Sequence, residues 1–507
     1  MTYDAIVIGA GLAGLVAGAK LAREEKKVLV LEQHSIPGGY STSFTVKNYT
    51  IDVGLQSMDG LYKRDPKIGI FEDLDVFYNV EFVHITTGYY RFTNSREDFS
   101  LPDKREDAIE VLIRQFPKEE KAIRSFFDTI ETITTHTHKI PRTKALQAMI
   151  GPLVPILYSS IPKWGRRTAG EMLDMFFENE DLKLVLAGTI LYYGDDPYKL
   201  SAIIFSLALS SHFKGGNHYI KGGSMKLSGH LANFIREKGG TILLNQKVSK
   251  IIVKNGKAVG VEYVSKKDES ATPTSVYGTY IIANASAPQV ASELLSEEDG
   301  KKLRDKVKGL TIGHSTTNVY LGFNKTLTEL GHSDFATVVN DPSVFSLKDV
   351  FGNHYGDYSK RNYMFIDYGQ VDSGMAPYGK STGIISFIDN LESWDGLDVE
   401  QYEQKKRDIV NIFINRLNEL IPNVKDHIEY KGIANPRTKM RYTLNPGGTS
   451  IGYAQSVPQA GMKRLKSKSP INNLHFASAW TFPGGGFSST IWSGWQVAAE
   501  ILNKMKD

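Results

Sequence analysis

Hydrophobic and polar positions at the start of the chain follow two different periods. Residues 5–8 are all apolar and are bounded by a glycine, which is typical of a buried strand. Residues 15–23 continue as a helix with small residues on one side, and residues 27–31 form a second strand that ends in Glu32. The chain therefore opens with a predicted strand, turn, helix and second strand.

Three glycines join the first strand to the helix with the spacing G-x-G-x-x-G: Gly9, Gly11 and Gly14. The first allows a tight turn, the second lets the backbone approach a pyrophosphate, and the third lets the helix pack closely on the strand. The N-terminus of the helix offers free N–H groups to phosphates. The predicted contacts of a dinucleotide therefore include Leu12 and Ala13.

Glu32 stands where a carboxylate can accept hydrogen bonds from both hydroxyls of a ribose, and where a 2′-phosphate would be repelled. We predict that Glu32 and the adjacent Gln33 contact the adenosine of a dinucleotide. The alternative is a Rossmann-like turn that no longer binds its ligand.

A second strand, glycine loop and helix lie near the end of the sequence. Residues 473–477 have the pattern of a strand, residues 483–486 of a tight Pro-Gly-Gly-Gly loop, and residues 492–505 of a helix. A long cofactor needs a second helix N-terminus at its far end, and FAD has such an end in its isoalloxazine ring. No second G-x-G-x-x-G is present, so we predict FAD without a built-in NAD(P)H domain.

With these motifs the chain resembles the phytoene desaturase family of flavoproteins, especially its carotenoid isomerase and retinol saturase branch. The similarity runs along the whole sequence. Its motifs are the glycine fingerprint through Glu32, residues 37–39, 49–54, 215–240, 246–261 and 283–285, and the terminal Pro-Gly-Gly-Gly with Ser493 and Gly494.

The resemblance implies further contacts of the FAD. Residues 247–251 would meet its adenine side, and the terminal loop would meet the flavin ring. The added predicted contacts are Gly38, Gly39, Tyr40, Ser41, Val248, Ala479, Gly485, Gly486 and Phe487.

The chain departs from its relatives at two points. Tyr40 stands where related flavoproteins often have an arginine after Gly-Gly. Ser478 and Ala479 replace a terminal Gly-Asp whose carboxylate usually holds the ribityl chain. The activity of one well-studied relative therefore does not transfer directly.

The predicted fold is α/β (α+β overall), with interleaved domains. Residues 1–65, 216–300 and 465–507 form a Rossmann-type FAD-binding domain. Residues 66–100 and 301–464 form a mixed β-sheet substrate domain, and residues 101–215 form a helical cap. Asn255-Gly256 between alternating apolar runs predicts a hairpin within residues 240–264, and residues 399–421 have the pattern of one amphipathic helix.

Composition narrows the functional classes. The 507 residues exceed what one hydrophobic core usually supports, so at least two domains are expected. The net charge of +4 is too small and too evenly spread to indicate nucleic acid. The absence of cysteine excludes disulfides, thiolate metal sites and a cysteinyl-linked flavin.

No pattern of side chains indicates metal or nucleophilic catalysis. The histidines nearest the candidate loops lack the spacing of metal ligands, so no metal is predicted; they are His136, His138, His212, His218 and His230. No Ser-His-Asp arrangement can be identified. Because a flavin supplies the redox chemistry itself, no catalytic side chain is named.

Residues 146–167 combine apolar residues, three prolines, Trp164 and several basic residues. Pro152 and Pro155 exclude a straight spanning helix. The segment is either an insertion into a membrane surface or an ordinary cap helix packed on the core. The first strand leaves no room for a signal peptide. We expect a cytoplasmic protein, membrane-associated if the first alternative holds, and leave the oligomeric state open.

Three functions compete. The resemblance favours a FAD-dependent oxidoreductase that desaturates, saturates or isomerises carbon–carbon double bonds of a long apolar polyene or isoprenoid, such as a carotenoid or retinoid. A flavin amine oxidase on the same architecture is the second. The third is a non-enzymatic escort protein of the Rab type, although its binding loop has diverged whereas Gly9, Gly11 and Gly14 are intact here.

Overall fold

The computed structural model describes residues 2–140, 153–268 and 270–506. Residues 146–152 of the predicted membrane or cap segment, which include Pro152, lie outside the described residues. The remaining expectations can be compared with the structure.

The described strands are numbered in chain order. They are β1 Thr2–Ile8, β2 Val28–Leu31, β3 Ser43–Val46, β4 Tyr49–Asp52, β5 Met58–Asp59, β6 Phe82–His84, β7 Tyr90–Thr93, β8 Asp98–Leu101, β9 Asn217–Ile220, β10 Thr241–Leu243, β11 Gln246–Lys254, β12 Lys257–Ser265, β13 Thr274–Ala283, β14 Ser315–Phe323, β15 Ala336–Val339, β16 Tyr363–Asp367, β17 Ser381–Asp389, β18 Ile428–Ala434 and β19 Leu474–Phe476.

The described α-helices are numbered in the same way. They are α1 Leu12–Arg23, α2 Pro66–Asp73, α3 Val76–Asn79, α4 Arg105–Gln115, α5 Glu120–Lys139, α6 Val154–Leu157, α7 Ser160–Trp164, α8 Ala169–Phe176, α9 Glu180–Leu186, α10 Ala202–Gly215, α11 Met225–Glu237, α12 Ala287–Gln289, α13 Glu297–Val307, α14 Asp349–Tyr355, α15 Val399–Leu420, α16 Pro436–Thr443 and α17 Phe487–Lys506.

Short turns of other helix types connect these elements. The segment Val290–Leu294 is a π-helix. The 3₁₀ turns are Pro117–Glu119, Ile190–Tyr192, Leu327–Leu330, Tyr358–Lys360, Tyr368–Gln370, Glu392–Trp394, Val424–His427, Pro446–Gly448 and Gly461–Lys463.

The first large sheet contains the strand–turn–helix–strand unit. Its strand order is β10-β2-β1-β13-β12-β11, with β19 paired to β13. Strands β2, β1, β13 and β19 pair in parallel, so their carboxyl ends share one edge. Helix α1 packs between this sheet and the terminal helix α17, and Gly494 allows the close approach, since a Cβ there would lie 2.2 Å from the Ala13 carbonyl oxygen.

The second large sheet has the order β18-β14-β17-β16-β15-β7-β8. Strands β14 and β17 pair antiparallel along their whole length and are buried on both faces. Helix α15 covers one face through Phe413, which stacks on Phe387 at 4.1 Å between ring centroids. The other face is turned toward the first sheet, where Gln56 of the connecting loop bonds Ser386 of β17 at 2.5 Å.

Helices α4 to α10 form a group beside the second sheet. Helix α5 packs against α10 and α8, as its alternating apolar and charged positions predict. Trp164, at the end of α7, is buried and stacks on Phe176 with centroids 5.9 Å apart. A small three-stranded sheet, β5-β9-β6, connects this group of helices to the part of the fold that contains the first large sheet.

The predicted α/β fold class is confirmed. The hairpin at Asn255-Gly256 forms between β11 and β12, and the amphipathic helix forms as α15. The terminal helix α17 begins at Phe487, before its predicted start. Its first turn is Phe487–Thr490, directly after the glycines of the loop, and its three polar residues give no hydrophobic period that would mark a helix. The domain boundaries stay a prediction.

Candidate cofactor site

One cavity of about 330 Å³ lies at the carboxyl edge of the first sheet and extends to the second sheet. Its walls come from segments far apart in the sequence, including the glycine loop, α16 and the start of α17. It is lined by every predicted contact except Gly14 and Gly485, namely Gly9, Gly11, Leu12, Ala13, Glu32, Gln33, Gly38, Gly39, Tyr40, Ser41, Val248, Ala479, Gly486 and Phe487.

Gly14 and Gly485 lie behind this lining, and a contact of either with the cofactor stays a prediction. A Cβ on Gly14 would lie 2.3 Å from the carbonyl oxygen of Gly9, so Gly14 allows α1 to pack on the loop. A Cβ on Gly485 would lie 2.8 Å from the Cα of Ile451. Both glycines therefore support the cavity wall through close backbone packing.

The glycine loop presents backbone to the cavity. Gly9 has φ +92°, a conformation that favours glycine, and a Cβ there would lie 2.9 Å from the carbonyl oxygen of Asn284. Gly11 is the N-cap of α1 and its helix has no side-chain cap. The N–H groups of the first turn of α1 are thus free of a capping side chain at the point where the helix dipole is positive.

Glu32 joins the glycine loop to the end of β2. Its Oε2 accepts the N–H of Ala10 at 2.7 Å, and its Oε1 accepts the N–H of His34 at 2.8 Å. Burial raises the pKa of Glu32, while the backbone N–H donors act to lower it. A carboxylate has further lone pairs on both oxygens, so these two bonds leave acceptor capacity for ribose hydroxyls.

Tyr40 links the Pro-Gly-Gly loop to the segment that contains Thr449. Its hydroxyl donates to the carbonyl oxygen of Thr449 at 3.1 Å. Burial raises its pKa to about 12, so the phenol is protonated. Next to it, Ser41 accepts the hydroxyl of Ser228 at 2.9 Å through its own hydroxyl. Where relatives have an arginine, Tyr40 thus provides a neutral structural contact.

Arg464 organises the terminal loop. Its guanidinium donates to the carbonyl oxygens of Ala479 at 2.8 Å and Thr481 at 3.1 Å. It also donates to the side chain of Gln455 at 3.3 Å. Burial lowers the pKa of Arg464 to about 10, which still leaves it charged at neutral pH. The buried guanidinium of Arg464 therefore holds the terminal loop at Ser478 and Ala479, the two residues that replace the Gly-Asp.

Sequence reasoning missed the residues that line the end of the cavity facing the second sheet. Lys439 of α16 and Thr316 and Asn318 of β14 line it, together with Gln56 and Tyr192. Burial lowers the pKa of Lys439 to about 7. In the sequence, Lys439 is one basic residue of an ordinary helix, and Thr316 and Asn318 belong to a strand; only the packing of the two sheets brings them together.

The residues present fit FAD. Free helix N–H groups suit a pyrophosphate, Glu32 suits a ribose, and a cavity that runs from Val248 to Phe487 suits a long cofactor. The groups that would hold it are mostly backbone N–H groups, as the glycine loop predicts.

The match to known proteins decides the family. The family model of flavin containing amine oxidoreductases matches residues 12–502. The chain belongs to this family. It is accordingly an FAD-dependent oxidoreductase, and the cofactor and class of enzyme predicted from the sequence are confirmed.

The names of proteins similar to this chain denote several different activities. Prolycopene isomerase 1 from an Oncidium hybrid cultivar is 26% identical, over 98% of this chain and 84% of the relative. All-trans-retinol 13,14-reductase from Danio rerio is 25% identical, over 99% and 86%. The neurosporene-forming phytoene desaturase of Rhodobacter capsulatus is 26% identical, over 99% and 94%. The resemblance seen in the motifs is thereby confirmed.

A solved structure supports the fold. Cyclohexylamine oxidase from Brevibacterium oxydans has a TM-score of 0.63 at 16% identity, with all of both chains covered. At this identity the likeness concerns the fold alone.

Two classes of feature are absent from the part of the chain that the structure describes. No group of three or more histidine, aspartate or glutamate side chains there could hold a metal ion. No described helix is long and apolar enough to cross a membrane.

Replacing Arg464 with methionine should weaken FAD binding while the fold persists. Methionine fills much of the arginine volume but leaves the carbonyl groups of the terminal loop without a donor. Hydrogen bonds to charged groups contribute about 1.5–3 kcal/mol each, so the loop loses stability in the variant. If half or more of that loss must be made up when FAD orders the loop, binding weakens by about tenfold. FAD titration of apoprotein, with circular dichroism as a fold check, measures this.

Lys463→Met is the matched control, since Lys463 is the exposed neighbour of Arg464. Wild-type affinity in Arg464→Met would mean that the terminal loop keeps its shape without the guanidinium.

Proposed function

We propose that this flavoenzyme acts on carbon–carbon double bonds of a long apolar substrate of the polyene or isoprenoid class. The observation that carries the proposal is the similarity to an isomerase, a reductase and a desaturase over nearly the whole chain. All three names denote a change at carbon–carbon bonds. The proposed reaction is a desaturation, a saturation or an isomerisation of such a bond.

The roles of the site residues follow from their positions. FAD, when bound, supplies two-electron redox chemistry. The N–H groups at Gly11 and Ala13 would hold its phosphates, and Glu32 would hold the adenosine ribose. The loop held by Arg464 orients the far end of the cofactor. The second sheet forms the wall of the cavity opposite these groups.

An amine oxidase is the second candidate. Its support is the fold shared with cyclohexylamine oxidase, together with the buried polar side chains of Gln56 and Asn318 in the cavity. A buried lysine disfavours a cationic amine as the substrate, because two positive charges would share one site of low polarity. This argument ranks the amine oxidase second.

An anaerobic flavin assay separates the two candidates. We expect a primary amine to leave the oxidised flavin spectrum of the holoenzyme unchanged. A polyene extract should gain or lose double bonds, or change geometry, as followed by chromatography and mass spectrometry. Bleaching of the flavin by the amine, with no change in any polyene, would contradict the proposal.

We further propose that the protein works in the cytoplasm and collects its substrate at a membrane surface. The support is an apolar patch formed by Leu153, Ile156 and Leu157 around α6, whose side chains are 48%, 75% and 51% exposed. Lys163 and Arg166 follow close by and are exposed. Apolar residues beside basic ones suit an anionic membrane surface.

Trp164 does not belong to this patch. Sequence reasoning grouped it with the inserting residues, but it is 2% exposed and packs on Phe176. A tryptophan next to basic residues gives the same sequence pattern whether its side chain faces lipid or the protein core. The direction of the helix determines which of the two it faces. The test must therefore use Ile156 and Leu157.

The double variant Ile156→Glu with Leu157→Glu should lose flotation with anionic liposomes. Burial of a leucine or isoleucine contributes about 1.5–3 kcal/mol, so binding should fall by at least about tenfold. Salt should weaken wild-type binding through the basic residues. Tyr378→Glu, at a fully exposed aromatic residue elsewhere, is the control. Equal flotation of wild type and the double variant would remove the patch from any membrane contact.

A further inference from the structure

Lys439 is a buried lysine with no counter-ion for its charged form. It is 6% exposed, and among the described residues no carboxylate lies within ion-pair distance of its Nζ. The nearby carboxylate of Asp389 is already engaged by Arg361 at 3.1 Å and by the indole N–H of Trp394 at 2.9 Å. Buried charges are normally paired, so this exception needs an explanation.

Neutral oxygens hold the lysine in place. Its Nζ donates to Thr316 Oγ1 and to Ser450 Oγ, the latter at 3.3 Å. With its pKa lowered to about 7, Lys439 is present at neutral pH partly as an ammonium. That charged form has three N–H donors, so one donor remains after these two bonds. Lys439, Thr316 and Ser450 all line the cavity, which is where a partner for that donor can enter.

The hydrogen-bond chain continues along the wall away from Lys439. Thr316 donates to the carboxamide oxygen of Asn318 at 3.3 Å, and the hydroxyl of Ser386 donates to the same oxygen at 3.1 Å. Gln56 donates to Ser386 at 2.5 Å and accepts the hydroxyl of Tyr192 at 2.5 Å. We call this row from Lys439 to Tyr192 the polar wall.

The polar wall does not relay protons, because the amides of Asn318 and Gln56 interrupt the row of hydroxyl groups. It also does not suit contact with a pure hydrocarbon. A hydrocarbon that filled the space beside Lys439 would displace water and leave the third donor buried and unpaired, which is unfavourable. An oxygen atom at that position would satisfy the donor.

We propose that Lys439 hydrogen-bonds an oxygen atom of the substrate, so that the substrate is a long apolar molecule with an oxygenated end and not a pure hydrocarbon. This inference rests on the proposed function, whose substrate class it narrows. The oxygen is a hydroxyl or carbonyl, since either accepts a hydrogen bond from the amine. A carbonyl oxygen of the flavin could accept the same bond, and the test distinguishes these two sources.

The test compares two probes on the oxidised holoenzyme. One is all-trans-retinol, and the other is the same polyene with hydrogen in place of the hydroxyl. Affinities are measured by quenching of protein fluorescence. A site built to hydrogen-bond a substrate oxygen discriminates strongly against an analogue that lacks it. We expect the wild type to bind the alcohol at least about tenfold more tightly, a difference of about 1.4 kcal/mol.

Two variants remove the bond in different ways. Lys439→Met should lower the preference for the alcohol to about twofold or less and leave hydrocarbon affinity unchanged. Thr316→Val keeps the shape of Thr316 but removes an anchor of the lysine, and should lower the preference by a smaller factor. Lys431→Met, at an exposed lysine of β18, should retain the full preference. Thermal unfolding checks that each variant folds.

The outcomes separate the claims. Equal binding of both probes by wild type and by Lys439→Met overturns this inference and leaves the proposed function standing. Binding of neither probe overturns this inference, and the proposed function falls as well only if the polyene extract is also unchanged. A Lys439→Met variant with a shifted flavin spectrum and reduction potential but an intact preference shows that the lysine serves the flavin, which also overturns it. Loss of the preference with an unchanged flavin spectrum and potential supports it.

Discussion

The two hydrogen bonds that Glu32 accepts hold the glycine loop against the end of β2, and the geometry of the cofactor site depends on that contact. One carboxylate accepts the N–H of Ala10 in the glycine loop and the N–H of His34 after β2. These bonds fix the turn between β1 and α1 at the carboxyl edge of the sheet. The helix N-terminus and the acid are thereby set on the same side of the cavity, as binding of a dinucleotide requires.

Two buried basic side chains are held by neutral oxygens: Lys439 lines the cavity, and Arg464 lies behind the terminal loop. Arg464 is bound mainly by backbone carbonyl groups, and Lys439 by two hydroxyl groups. A buried cation without a carboxylate partner keeps its positive potential available to a ligand. This arrangement favours electron-rich groups in the cavity, whether they belong to the cofactor or to a substrate. It disfavours a cationic ligand, which is why the amine oxidase ranks second.

The sequence predicts the cofactor side of the fold well because local chemistry dictates it. Gly9, Gly11 and Gly14 have distinct backbone tasks, and each leaves a readable mark at a fixed spacing. The Asn255-Gly256 turn and the amphipathic period of α15 are local in the same way. Gly14 has the packing role that its place in the fingerprint predicts, whereas the close packing of Gly485 on Ile451 leaves no mark in the sequence.

The substrate side could not be predicted, because long-range packing creates it. Gln56, Thr316, Ser386 and Lys439 are far apart in the sequence and meet only when the two sheets pack. Trp164 shows the same limit, since its neighbours suggest a membrane surface while the direction of α7 buries it. The positions of such residues depend on long-range contacts, which cannot be read from the spacing of residues in the sequence.

The most direct test of the account is the FAD affinity of Glu32→Ala, measured by titration of apoprotein. The account predicts at least about tenfold weaker binding, since the variant loses a charged acceptor for the ribose and the bonds that fix the loop. Glu237→Ala, at an exposed glutamate of α11, should bind as the wild type does. Unchanged affinity in Glu32→Ala would contradict the central role given to this carboxylate.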